Sequence, residues 1–241
     1  MKKRRTKIVI LIVVAAVIGT ILIYLCTGNY AASIEAKQAM QTGNGVSVTE
    51  DTKTIAFMPD TPPKNGFVFY PGGKVDADAY AMFARDIAEQ GVLCVIVKMP
   101  FDLAVFNVNG AKDVLDAYPD IENWTVGGHS LGGVMAAEYA KNDDRVKDIV
   151  FLASYPNSDL SKSGKRALDI TAGNDQVLAW DKYAAAEPKF PADTVSYRIE
   201  SGNHSGFGSY GYQSGDGQAS ISPAQQQKEA AEQIIKWISD R

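Results

Sequence analysis

The sequence predicts an α/β fold: a doubly wound, mostly parallel sheet covered by helices on both faces. Three observations predict it. From Gly66 onward, apolar strand-like runs alternate with stretches of helical length, the pattern that crossover connections impose on parallel strands. The runs Val92–Val97 and Asp148–Ala153 are nearly continuously apolar, as strands buried on both faces must be. The glycine-rich stretch Gly127-Gly128-His129-Ser130-Leu131-Gly132-Gly133 joins the β-branched end of a strand, Trp124-Thr125-Val126, to an alanine-rich helical run, Val134–Ala140, which is the context of a sharp strand-to-helix turn.

The elements follow in order. Val46–Val48 and Thr54–Phe57 read as an opening hairpin, and Phe67–Tyr70 as a buried strand ending on the turn Pro71-Gly72-Gly73-Lys74. A helix over Ala77–Glu89, the strand Val92–Val97 and a helix around Gly110–Ala117 lead to the glycine turn and its helix. Strands at Asp148–Ala153, Leu168–Ala172 and Val195–Ile199, a helix around Val177–Ala186 and a final helix Pro223–Ser239 complete the domain. No internal repeat interrupts this order.

Ahead of the sheet lies a different kind of sequence. Lys2, Lys3, Arg4, Arg5 and Lys7 precede Ile8–Leu25, an uncharged apolar run of about 18 residues, just long enough to span a bilayer. The basic flank keeps that end in the cytoplasm and delivers the remainder outside the cell. An uncleaved single-pass anchor is favoured by length and flanks. A cleaved signal peptide, cut at the poorly spaced Ala31-Ala32-Ser33 and releasing a secreted domain, remains the alternative. Leu25-Cys26 makes a poor lipoprotein site because bulky Tyr24 and Leu25 precede the cysteine. The expected organisation is a membrane segment over 1–30, a polar, alanine-rich linker over 31–45 and one domain over 46–241, long enough to bury a single core.

Composition narrows the partners. A net charge of −4, with basic residues concentrated in the leader, gives no reason to expect nucleic-acid binding. Cys26 abuts the apolar run and Cys94 lies within a buried strand, so no disulfide is expected. There is no Cys/His cluster with metal-ligand spacing, and no metal or cofactor is expected. Through the N-terminal segment, a membrane is an expected partner.

The glycine turn carries the chemistry. Gly128-His129-Ser130-Leu131-Gly132 fits G-x-S-x-G, in which a serine is held on a strained turn. A seryl hydroxyl needs a base to take its proton, and histidine is the usual one. The chain has two histidines. On so tight a turn the His129 side chain points away from its neighbour, which leaves His204, in the loop Glu200–Gly206 after the strand Val195–Ile199. In the chain order nucleophile, acid, base, the acid belongs between them. Asp175, in the turn Gly173-Asn174-Asp175-Gln176-Val177 after a strand, is placed to orient the histidine; Asp169 sits inside the strand and Asp181 on the following helix. Two backbone amides must receive the developing oxyanion: Leu131, after the nucleophile, and either Gly73 or Lys74, after an early strand. Phe207 and Tyr210, with Tyr212, offer apolar surface in the glycine-rich segment 202–217, and Met99, followed by Phe101 and Leu103, leaves a strand end. These are candidate substrate-binding residues, core packing being the competing fate.

With these residues in hand the chain resembles the α/β-hydrolase superfamily. More narrowly it resembles a small bacterial single-domain group of serine hydrolases carrying the blocks Tyr70–Asp76, Val97–Pro100, Gly127–Gly133, Ala172–Asp175, and Gly202–His204 running into Phe207–Gly211 and Gly215–Gly217. The resemblance covers roughly Gly66–Arg241. It implies a sheet of the α/β-hydrolase type, a Ser130–Asp175–His204 triad and, through an acyl-enzyme, activity on esters or related acyl compounds, so that a small-molecule acyl substrate is the expected partner of the domain. Only the short polar stretch Ser154–Arg166 stands where larger members insert a cap domain, so an open site is expected. An acyltransferase on the same triad, or a catalytically silent surface-binding module, are the alternatives.

Overall fold

The computed structural model describes residues 7, 10, 13–17, 19, 20, 23 and 25–240. In chain order its elements are α1 (Ile34–Ala39), β1 (Val46–Glu50), β2 (Thr54–Pro59), β3 (Asn65–Tyr70), α2 (Ala81–Ala88), β4 (Leu93–Val97), α3 (Gly110–Ala117), β5 (Asn123–His129), α4 (Leu131–Ala140), β6 (Val146–Leu152), β7 (Arg166–Ala172), α5 (Trp180–Ala186), β8 (Asp193–Ile199) and α6 (Pro223–Ser239). The helix expected over Ala77–Glu89 begins as a 3-10 turn, Ala77–Tyr80, that feeds α2.

Eight strands form one sheet in the order β1-β2-β4-β3-β5-β6-β7-β8. The pairs β1/β2 and β2/β4 are antiparallel, and every pair from β4 to β8 is parallel. Side-chain alternation along β3 divides the interior into two layers: Phe67 and Phe69 join a core with α2 and α6, while Val68 and Tyr70 join one with α3 and α4. The last helix is closed at its start by Ser222, whose hydroxyl and Gln225 form a reciprocal capping box ahead of Pro223. The connection from β6 to β7, residues 153–165, contains no helix or strand, so no domain is inserted there.

Two expectations about the N-terminal part meet the structure differently. Most of the run Ile8–Leu25 lies outside the described residues, and among the described residues no helix is long and apolar enough to cross a membrane. The linker expected over 31–45 is corrected, because these residues pack on the domain. Tyr30 pairs with Val75, Ala36 is fully buried, and the Arg85 guanidinium binds the Ala39, Gln41 and Gly43 carbonyls. The helix α1 is nucleated locally, with the Ser33 hydroxyl accepting from the Ala36 amide. The packed domain therefore starts at Tyr30 rather than at 46.

Candidate active site

Ser130 stands at the end of β5 with φ +52° and ψ −123°, outside the regions ordinary residues occupy. Its surroundings over-determine this conformation. The Ser130 amide donates to the Leu152 carbonyl at 2.9 Å, and its own carbonyl accepts from the Ser154 hydroxyl at 2.7 Å and from the Gly133 amide at 3.1 Å. The turn also needs its glycines. A Cβ on Gly128 would lie 2.4 Å, and one on Gly132 2.1 Å, from the Tyr70 carbonyl oxygen, so any side chain would push α4 off β3.

The strand ends deliver the other groups to the same edge of the sheet. Asp175 follows β7 and His204 follows β8. The His204 Nδ1 lies 2.8 Å from Asp175 Oδ2, both side chains being buried. Asp175 Oδ1 accepts from the Val177 and Leu178 amides at 2.9 and 2.8 Å. A carboxylate so engaged accepts from the imidazole, so the Nδ1 carries the proton and Nε2 is left with its lone pair.

His129 is a different kind of histidine. The Tyr80 hydroxyl accepts from the Gly72 amide at 3.0 Å and is hydrogen-bonded to His129 Nδ1 at 2.9 Å. The ring stacks obliquely on His204, with centroids 4.5 Å apart. Burial drives its pKa well below the ordinary histidine value and a charge on His204 acts the same way, with the His204 backbone opposing them. The buried ring thus lies between the Tyr80 hydroxyl and His204 and stays uncharged.

Of the two loop amides, Lys74 N–H donates to the Asp102 carbonyl at 2.7 Å. Gly73 adjoins the turn instead: a Cβ built on it would be 3.2 Å from Leu131 Cδ2. A cavity of about 220 Å³ opens beside Ser130, walled by Leu131, Val134, Tyr155, Val177 and Leu178. A larger hollow of about 660 Å³ lies beside Asn123 and Trp124 at the start of β5. It is at the wrong end of the sheet, since ligands of open α/β sheets bind beyond the carboxyl ends of the strands.

Residues 66–228 match the alpha/beta hydrolase family. The chain belongs to that family. No curated protein sequence matches this hydrolase. Among solved structures it is similar to Est1E from Butyrivibrio proteoclasticus, with a TM-score of 0.59 and 13% identity, over 82% of this chain and 100% of that one. At that identity the likeness concerns the fold.

The hydrolase fold does not use every residue as the sequence suggests. Phe207, Tyr210 and Met99, expected at the substrate, are buried in the two cores, and none walls the cavity beside Ser130. Phe207 packs on His129, with ring centroids 5.6 Å apart, and Tyr210 on Tyr80 at 6.5 Å. The glycine-rich segment they belong to is stapled down by Asp216. Its buried carboxylate accepts from the His204, Ser205 and Gly217 amides, the Ser205 hydroxyl and the Gln176 amide. The sequence marks Asp216 only by its place between Gly215 and Gly217, in a segment that returns to the His204 loop. The cavity residues Val177 and Leu178 are legible in sequence only as an apolar pair that follows Asp175 and Gln176.

Asp169, the competing acid, points elsewhere. It receives the Tyr183 hydroxyl, and burial pushes its pKa up to about 7. The folded-state value lies above the unfolded one of 3.8, so folding holds a proton between the two and stability falls as pH rises through that window. Asp169→Asn should therefore be close to neutral at pH 4 and stabilising at pH 8, by at most about 4 kcal/mol. Urea unfolding at the two pH values measures this, and a difference independent of pH would refute it.

Proposed function

We propose that this hydrolase cleaves carboxylic esters with short acyl groups, with Ser130 as nucleophile, His204 as general base and acid, and Asp175 orienting the histidine. The observation that carries the reading is the buried 2.8 Å Asp175–His204 pair at the strand edge that also presents Ser130 on its strained turn. His204 Nε2 takes the hydroxyl proton as Ser130 Oγ attacks the ester carbonyl. The Leu131 and Gly73 amides receive the oxyanion, since the Lys74 amide is engaged by Asp102. Nε2 then protonates the leaving alcohol, and water, activated by the same nitrogen, releases the acid. Transfer to another acceptor would use the same residues.

Labelling with a fluorophosphonate and mapping the adduct tests the assignment: it should fall on Ser130, and absence of labelling on folded protein would favour a silent binding module. Asp175→Asn should lower kcat by about 10⁴-fold, as loss of the orienting carboxylate does in serine hydrolases, while Asp169→Asn should leave it unchanged.

A 220 Å³ acyl cavity is below the size of ordinary drug-sized ligand pockets, about 300–1,000 Å³. The ratio kcat/KM should fall along p-nitrophenyl acetate, butyrate, octanoate and palmitate. A profile rising toward palmitate would overturn the short-acyl assignment. We also propose that Ile8–Leu25 anchors the chain, with its N-terminus cytoplasmic and the hydrolase domain outside. Protein that resists carbonate extraction and is digested by protease added to intact cells fits this; a mature N-terminus near Ala32 in the medium does not.

A further inference from the structure

The N-terminal segment meets the domain beside the mouth of the site. The Tyr30 amide donates to the Lys74 carbonyl at 2.7 Å, the Asp76 amide returns to the Tyr30 carbonyl at 3.1 Å, and Asn29 binds the Asp102 carboxylate. Lys74 Nζ reaches the Leu25 carbonyl at 3.1 Å. Leu25, the last residue of the apolar run, is thus held one lysine side chain away from Gly73.

The loop next to it exposes apolar surface. Phe101, Val105 and Phe106 are 46%, 47% and 53% exposed, and the two phenyl rings meet edge to face at 5.7 Å. Such side chains are usually inside, and here they are held outward by a fixed backbone. Phe101 and Asp102 both have positive φ, and hydrogen bonds run from Lys74 to Asp102, from Asp102 to Met99 and from Leu103 to Pro100. Leu103, from the same loop, turns inward, its Cδ2 3.7 Å from where a Cβ on Gly73 would be. Ile10, Val13, Val14, Val17 and Ile23 of the apolar run are exposed as well. The apolar run and the loop meet at Leu25 and Lys74, next to the glycine assigned to the oxyanion.

We infer that the loop 101–106 is a membrane-contact surface that seats the mouth of the Ser130 site on the lipid–water interface. This rests on the anchored reading of Ile8–Leu25. Aromatic side chains adjoining an apolar segment suit the boundary between headgroups and acyl chains. Asp76, Asp78 and Asp102 lie close enough for their charges to interact, opposed by Lys74, which favours zwitterionic over anionic headgroups. The acyl cavity is small, so the part of the substrate that resides in the membrane is its alcohol: a short acyl ester carried on an interfacial molecule.

The full chain, with Cys26→Ser to remove the exposed thiol while Cys94 stays buried, is reconstituted in phosphatidylcholine vesicles. An environment-sensitive fluorophore is attached at Phe106→Cys or, as a control at the far end of the sheet, at Lys147→Cys. Brominated acyl chains should quench the label at 106 far more than at 147, and iodide should quench it far less. If the chain floats with the vesicles but both labels respond alike, the contact surface is refuted while the anchor stands. If the chain does not float, anchor and contact surface fall together. The double variant Val105→Ser/Phe106→Ser, both residues exposed on the loop, should retain hydrolysis of soluble p-nitrophenyl acetate and lose several-fold on an acetyl ester of a vesicle-bound alcohol; equal losses on both would overturn the inference.

Discussion

Ser130→Ala and His204→Ala should each lower kcat for ester hydrolysis by about 10⁶-fold, with the double variant scarcely worse than either single one. In the proposed mechanism the Ser130 proton has one destination, because His204 Nδ1 is held by Asp175 and Nε2 is the nitrogen left to take it. Removing nucleophile or base disables the same step, so the two losses do not multiply. Kinetics on p-nitrophenyl acetate, with circular dichroism to establish folding, measure the cycle; independent multiplicative losses would argue against a triad. His129→Gln distinguishes the two histidines. It should cost less than His204→Gln, because the His129 ring fills space between Tyr80 and His204 and stays uncharged. The reverse order would move the base to His129.

Asp216→Ala should be the most damaging change outside the triad. Its carboxylate accepts at 2.8 Å from the Ser205 amide, the Ser205 hydroxyl and the Gly217 amide, and at 3.3 Å from the His204 and Gln176 amides. Alanine leaves these donors in a dry interior, a loss of about 3 kcal/mol or more if water does not replace the carboxylate. The same bonds join the turn that bears Asp175 to the loop that bears His204, so their removal also displaces the pair. A misplacement of about 1 Å can cost 10²-fold in rate. We expect kcat to fall by about that factor with KM nearly unchanged, since Asp216 does not wall the cavity. Wild-type stability together with wild-type kcat would refute the assignment.

What the sequence made legible was local. The glycine turn announced itself because the close approach of α4 to β3 excludes a side chain at Gly128 and Gly132, and the buried strands β4 and β6 because burial on both faces leaves little room for polar residues. The limits of α6 coincide with expectation because Pro223 and the Ser222 box mark its start chemically. The residues that escaped notice act across long stretches of chain. Asp216 serves amides 40 residues earlier in sequence at Gln176, and no spacing rule connects them. For Phe207 and Tyr210 the sequence leaves two fates open, because aromatic residues among glycines read equally well as a wall or as core. The structure gives them to the core, where they pack around Tyr80 and His129. The helix α1 is not legible because a short polar, alanine-rich stretch resembles a tether until its burying partners, Arg85 among them, are brought up from elsewhere.

The pairing of Tyr30 with Val75 gives proteolytic release a meaning. A protease cutting between Ala31 and Ser33 would free the domain from its leader, and would also remove the residue whose amide and carbonyl clasp Lys74 and Asp76 on either side. Shed enzyme would keep its nucleophile and its histidine and lose a brace on the loop that begins one residue after Gly73. If Ile8–Leu25 is the anchor proposed above, detachment from the cell would thus change the catalyst as well as its address.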